Sequence, residues 1–101
     1  MIMSIESSKS VKIRVDDIRL DPVTIRYYQT PEGQKLVEDM SRELQKKGQL
    51  EPIIVNEDLT VIWRGHTRYF AAKRLGWLFI EAIIMGNNEW SAYIRTPNAC
   101  V

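Results

Sequence analysis

Trp63-Arg64-Gly65-His66-Thr67-Arg68-Tyr69-Phe70-Ala71-Ala72-Lys73-Arg74-Leu75-Gly76 is the stretch on which the fold turns. Leu59 to Trp63 reads as a strand. After Gly65 the period changes: Tyr69, Ala72 and Leu75 lie three apart, Phe70 adds to their flank, and Gly76 is a stop. The spacing predicts a helix over residues 66–75 that starts directly after a strand and a glycine. The first turn of such a helix offers unpaired N–H groups and the positive end of its dipole, which together suit an anion. Arg68 lies in that turn with a two-pronged donor for phosphate, and Thr67 adds a hydroxyl. Residues 64–76 carry Arg64, Arg68, Lys73 and Arg74 and no acid. Lys73 and Arg74, late in the helix, complement its C-terminal dipole and need no ligand. The rest of the patch suits the phosphate of a nucleotide or of a nucleic-acid backbone, although strand–Gly–helix junctions are common and basic helix faces are often simply solvated.

Upstream, Pro52-Ile53-Ile54-Val55 reads as a strand, Asn56-Glu57-Asp58 as a turn, and Leu59–Trp63 as the return strand of a hairpin. That hairpin brings Gly65 near Pro52, so Gly48-Gln49-Leu50-Glu51 can share a cleft with the helix start. Gln49 can donate and accept hydrogen bonds, and Glu51 can serve as a base or metal ligand; the alternative is an ordinary helix cap with exposed polar residues. Before it, Thr30-Pro31 opens a helix, Leu36, Val37, Met40 and Leu44 form its apolar face, and Gly48 ends it. Val11–Val15 alternates like a half-buried strand, Asp16–Pro22 reads as a turn, and residues 23–29 as a loop. Phe79–Met85 is a nearly all-apolar strand expected to be buried on both faces. The expected organisation is a flexible lead-in over residues 1–10, a compact α/β (α+β) domain over 11–85 with a small mixed sheet and two main helices, and a tail or short docked helix over 86–101.

Composition narrows the function. The 101 residues are 45% hydrophobic and 27% charged, which excludes disordered and fibrous classes. Fourteen Lys and Arg against thirteen Asp and Glu leave a net charge of +1, so an anion site must be local rather than a whole basic face. The apolar run Trp77–Met85 contains Glu81 and is far short of the roughly 20 residues that span a bilayer. Met1-Ile2-Met3-Ser4 lacks the pattern of an export leader. Cys100 is the only cysteine, so no internal disulfide is possible and a reducing cytoplasm is expected.

Two boxes taken together carry a resemblance. Gly48-Gln49-Leu50-Glu51-Pro52-Ile53-Ile54-Val55, followed by a hairpin and Gly65-His66-Thr67-Arg68-Tyr69-Phe70-Ala71-Ala72, resembles the N-terminal domain of ParB, in the ParB/sulfiredoxin superfamily. The first box is similar to Gly-x-x-x-Pro-[Ile/Leu]-x-Val. The second is similar to Gly-Glu-x-Arg-x-x-Ala with its Lys-x-x-Gly ending, here Lys73 to Gly76. Residues 11–85 are covered. The resemblance implies a pocket for a nucleoside triphosphate, CTP or ATP, with Mg2+ as a companion ion. Gly65, Thr67 and Arg68 would face its phosphates, and Gly48 and Gln49 would line the opposite wall. It also implies a bacterial or phage-borne protein in a DNA-associated role, with DNA, a DNA-processing protein or a second copy as partner.

The departures matter too. His66 stands where ParB has glutamate and where sulfiredoxins have their reactive cysteine, which argues against sulfinic-acid reduction. Arg64-Gly65-His66-Thr67-Arg68 differs from the Asp-Gly-His-His-Arg of the free-serine kinases, which argues against that chemistry. Chromosome-partition ParB proteins carry magnesium-binding residues and a DNA-reading helix-turn-helix after this domain, and no such module is read here. His66, at a helix N-terminus that disfavours its charged form, either donates to a phosphate, acts as a general acid–base, or packs on Trp63 or Tyr69. The phosphate-binding candidates are Gly48, Gln49, Arg64, Gly65, His66, Thr67 and Arg68; Glu51 and His66 are the catalytic candidates, for an NTPase or a nuclease. No zinc-type cluster is read. Two further readings stay open: a DNA-binding or nuclease subunit gripping the backbone with Arg64, Arg68 and Lys73, and an interaction module without a ligand. The aromatic residues suit core and rim better than a base-stacking platform, with Tyr27-Tyr28 beside Arg26 as the one faint exception.

Overall fold

The computed structural model describes residues 10–95. Its strands are β1 (Val11–Arg14), β2 (Ile53–Val55), β3 (Ile62–Arg64) and β4 (Phe79–Ile84). Its helices are α1 (Pro22–Tyr27), α2 (Pro31–Lys47), α3 (His66–Arg74) and α4 (Asn87–Arg95), with a single 3-10 turn at Val15–Asp17. The strands form one mixed sheet in the order β1-β4-β2-β3. β1 runs antiparallel to β4, β2 antiparallel to β3, and β2 parallel to β4. The parallel pair needs a crossover, and α3 supplies it.

Alternation along the strands divides the core. Ile53, Val55, Ile62, Ile80 and Ala82 turn to the face covered by α2 and α3, where Val37, Leu44, Tyr69, Ala71 and Ala72 meet them. Ile54 and Ile83 turn to the other face and pack with Met85 under Trp63, Trp90 and Tyr93. Ile53 and Val55 are completely buried, and burying such a side chain stabilises by about 1.5–3 kcal/mol. The expected double-sided burial of the last strand holds at Ile80 and Ala82 on one face and Ile83 on the other, each covered by its own apolar cluster; Glu81 is half-buried and the ends, Phe79 and Ile84, are exposed.

Three expectations need correction. Residues 23–29 are not all loop: Asp21-Pro22 starts α1, with the Asp21 carboxylate accepting from Thr24 N and Pro22 at the first helical position. No residue of this short helix is fully buried, so it leaves no apolar period to read. Leu36 is exposed rather than on the inner face of α2, whose buried stripe is Gly33, Val37, Ser41 and Leu44. Ser41 is tolerated there because its hydroxyl donates to Val37 O at 2.8 Å. The return strand starts at Ile62 rather than Leu59. Asn56 Oδ1 accepts from Thr60 N and Val61 N, and Leu59 takes a positive φ of 59° inside the turn. Of the two alternatives for residues 86–101, the docked helix is the one found over Asn87–Arg95, seated by Trp90 stacking on Trp63 with ring centroids 5.6 Å apart. Residues 1–9 of the expected 1–10 lead-in, and residues 96–101 of the expected tail with Cys100, lie outside the described residues. Among the described residues no helix is long and apolar enough to cross a membrane.

Candidate functional site

The junction after β3 is built on Gly65. Its φ of +102° is left-handed, and a Cβ added there would come within 2.7 Å of Ile53 Cγ2. Only glycine lets the start of α3 press against the start of β2. The first turn of α3 therefore lies beside the loop Gly48–Pro52, as the hairpin argument expects. The helix starts differ in one respect. Asp21 caps α1 and Thr30 caps α2 through their side chains, whereas Gly65 has no side chain with which to cap α3. The positive end of α3 is left to a ligand, to water or to neighbouring groups.

Around that turn the candidates divide into three settings. Arg68 turns toward the Gly48 loop, its Nη2 3.6 Å from Glu51 Oε1. With Gly48, Met40, Glu43, Leu44, Lys47 and Leu50 it lines a pocket of about 120 Å³, the size of a phosphate group rather than of a whole nucleotide. Lys47 brings a second cation there, paired with Glu43 at 3.4 Å. His66 and Thr67 turn to α1 instead. The imidazole stacks on Tyr28 with centroids 6.2 Å apart, and Thr67 Oγ1 lies 3.5 Å from Tyr28 Oη. Half-burial pushes the His66 pKa below its ordinary 6.5, with the nearby Asp21 charge pulling the other way, so the ring is neutral at pH 7. Arg64 points away from both, its Nη1 donating to Tyr93 Oη at 3.1 Å.

Gln49 is occupied elsewhere. Its Oε1 accepts from Glu81 N and its Nε2 donates to Glu81 O and to Glu51 O, each at 2.9 Å. The carboxamide thus binds the β4 backbone as a neighbouring strand residue would, one step before β2 takes over. A larger open groove of about 430 Å³, lined by Tyr28, Phe70, Val37, Lys73 and Arg74 among others, contains none of residues 48–52 or 64–68. Among the described residues no three His, Cys, Asp or Glu side chains stand close enough to hold a metal ion.

Sequence reasoning missed Lys47, Glu43 and Tyr28. The first two were legible as the last turn of α2, directly before Gly48. Tyr28 was not, because its contact with α3 joins segments 38 or more positions apart, as in Tyr28–His66.

A family model of the ParB N-terminal domain matches residues 2–95, nearly the whole chain. This chain belongs to the ParB N-terminal domain family. Solved structures agree. Sulfiredoxin from Arabidopsis thaliana superposes with a TM-score of 0.62 at 25% identity, covering 86% of this chain and 98% of that one. The C-terminally truncated chromosome-partitioning protein ParB from Caulobacter crescentus, complexed with CTP-gamma-S, gives 0.61 at 25% identity over 78% of this chain and 45% of that one. A Pnob8-like ParB-N domain shares the fold, with a TM-score of 0.56 at 18% identity, over 84% of this chain and 33% of that one. The present ParB N-terminal domain thus spans a third to under half of the two ParB chains it matches. A search of curated proteins finds no match. In this ParB N-terminal domain the four-stranded mixed sheet and four helices are those of a ParB/sulfiredoxin-like α/β fold.

Proposed function

We propose that this ParB N-terminal domain binds a nucleoside triphosphate, CTP or ATP, with the phosphates at the first turn of α3. One observation carries the reading: Arg68, in the first turn of a helix without a side-chain cap, reaches a small pocket that it lines with Lys47 and Gly48. The donor set fits a polyphosphate, since backbone N–H groups and the helix dipole attract its charge while the Arg68 guanidinium offers a two-pronged grip. Thr67 and the neutral His66 ring face Tyr28 on the other flank of the same turn and lie outside that pocket. Gly48 keeps the opposite wall free of a side chain. The pocket encloses phosphate only, so sugar and base lie outside it. The likeness to a ParB bound to CTP-gamma-S supports the same reading.

The function proposed is binding rather than turnover. Glu51 engages Arg68 and His66 engages Tyr28, so the two catalytic candidates have different neighbours and do not form one acid–base pair. Mg2+, where present, accompanies the nucleotide; among the described residues there is no carboxylate cluster to hold it. A DNA-associated role in the cytoplasm, with DNA or a second copy as partner, follows from family membership as part of the same proposal.

Thermal unfolding with CTP, ATP, GTP and UTP, with and without Mg2+, tests it. A nucleotide at about a hundred times its Kd stabilises by roughly 2.7 kcal/mol, a clear shift in Tm for a domain of this size. The expected result is a shift with CTP or ATP that Arg68→Ala abolishes. No shift with any nucleotide, in folded protein, overturns the reading. Salt-dependent DNA binding in that case would favour a backbone-gripping subunit instead.

A further inference from the structure

We infer that Glu51 is a built-in counter-anion that phosphate must displace from Arg68, and that Gln49 holds it in place; this rests on the nucleotide reading above. A guanidinium carries five N–H donors, and those that face a carboxylate are not open to a phosphate arriving from the same side. Glu51 Oε1 already lies 3.6 Å from Arg68 Nη2, so the group best suited to grip an incoming anion has a partner within the protein. Arg68 is the more sheltered of the two, its side chain 23% exposed against 55% for Glu51. The carboxylate can therefore swing out into solvent, while the guanidinium stays where it is.

The loop that carries Glu51 cannot drift away from Arg68 as easily. Gln49 Nε2 holds Glu51 O and Glu81 O, and its Oε1 takes Glu81 N, so a single carboxamide fastens the loop to β4 by three hydrogen bonds of 2.9 Å. The main chain of Glu51 is fixed while its side chain is not. That combination suits a displaceable stand-in for phosphate. The neighbouring pair, Lys47–Glu43, is different in kind. Both side chains are more than half exposed and four residues apart on one helix, where water screens the pair strongly.

The test is isothermal titration calorimetry at fixed ionic strength with inorganic triphosphate, CTP and ATP. Glu51→Gln keeps the side-chain size and the backbone carbonyl that Gln49 holds, and removes the competing charge. The expected result is tighter binding of triphosphate by roughly two- to fivefold, the range that a partly exposed ion pair is worth. Glu43→Gln, in the same pocket, should gain less than about twofold, and Asp58→Asn, in the exposed β2–β3 turn, should change nothing. Unchanged or weaker binding by Glu51→Gln overturns the inference, weaker binding showing that Glu51 itself holds the ligand. An equal gain from Glu43→Gln also overturns it, since the effect would then be the general field of the pocket. The nucleotide reading fails separately. Triphosphate bound by wild type, with CTP and ATP bound no better, sinks that reading and leaves the Glu51 comparison intact. No binding of any of the three anions by either variant sinks both.

Discussion

Replacing Gly65 by alanine should cost far more than the same change at Gly76, although both glycines have positive φ. At Gly76, φ is +79° and an added Cβ would meet nothing within 4 Å. Alanine there bears only the conformational cost of the left-handed region, about 1–2 kcal/mol. At Gly65, φ is +102° and the new Cβ would stand 2.7 Å from Ile53 Cγ2, 3.0 Å from its Cβ and 3.2 Å from its Cα. Ile53 is completely buried, so it has no room to retreat. Overpacking of this kind adds about 1–3 kcal/mol, bringing Gly65→Ala to roughly 2–5 kcal/mol. Urea unfolding followed by tryptophan fluorescence measures both variants on one scale. If Gly65→Ala loses no more stability than Gly76→Ala, the close approach of β2 to the start of α3 is not the constraint argued here.

Three further outcomes follow from the same geometry. Gln49→Ala leaves Glu81 N and O without their side-chain partner and should destabilise by about 1–3 kcal/mol in urea unfolding; a neutral result would mean that water replaces the carboxamide at no loss. Trp63 donates from Nε1 to Met85 O at 3.1 Å and stacks on Trp90, so Trp63→Ala should cost about 2 kcal/mol. In that variant hydrogen exchange should quicken in α4 and not in α2, and equal quickening in both would contradict a local seat. Burial holds the His66 pKa below 6.5, so as pH falls the unfolded chain takes up that proton before the folded one. The stability due to this group is full above about pH 6.5 and is lost as pH drops through the folded value. His66→Gln should remove that part of the slope of unfolding free energy against pH, and an unchanged slope would show that the imidazole does not titrate differently in the two states.

What could be read from the sequence was local. The change from strand to helix spacing across Gly65, the Thr30-Pro31 start and the Gly48 stop of α2 are encoded within a few residues, and the fold has them there. The errors occurred where a distant part of the chain decides. Leu36 follows the apolar pattern yet is exposed, because the rest of the fold packs on the stripe Gly33, Val37, Ser41 and Leu44 and leaves Leu36 to its side. Leu59 looks like a strand residue, but Asn56 folds the turn around it and Arg19 N donates to its carbonyl. At the site, the basic cluster of residues 64–76 looks like one patch in the sequence. The helix periodicity and the docking of α1 and α4 turn Arg64 to Tyr93, His66 to Tyr28 and Arg68 to Glu51. The use of Gln49 was hidden for a related reason: its partners are main-chain atoms of Glu81, and no side-chain pattern records a backbone partner.

The order β1-β4-β2-β3 also bears on how the chain assembles. β2, β3 and the α2–α3 layer are close in sequence and can form early, with short loops to close. Among the described residues β1 pairs only with β4, Val11 facing Ala82 and Arg14 facing Phe79, so its docking must wait until β4 is in place. It is the natural last piece, and held by one neighbour it is also the natural first to peel away. A load or bulky fusion attached before residue 10 would pull on this edge strand alone, opening the sheet from β1 while the β2–β3 hairpin and the Gly65 junction stay closed.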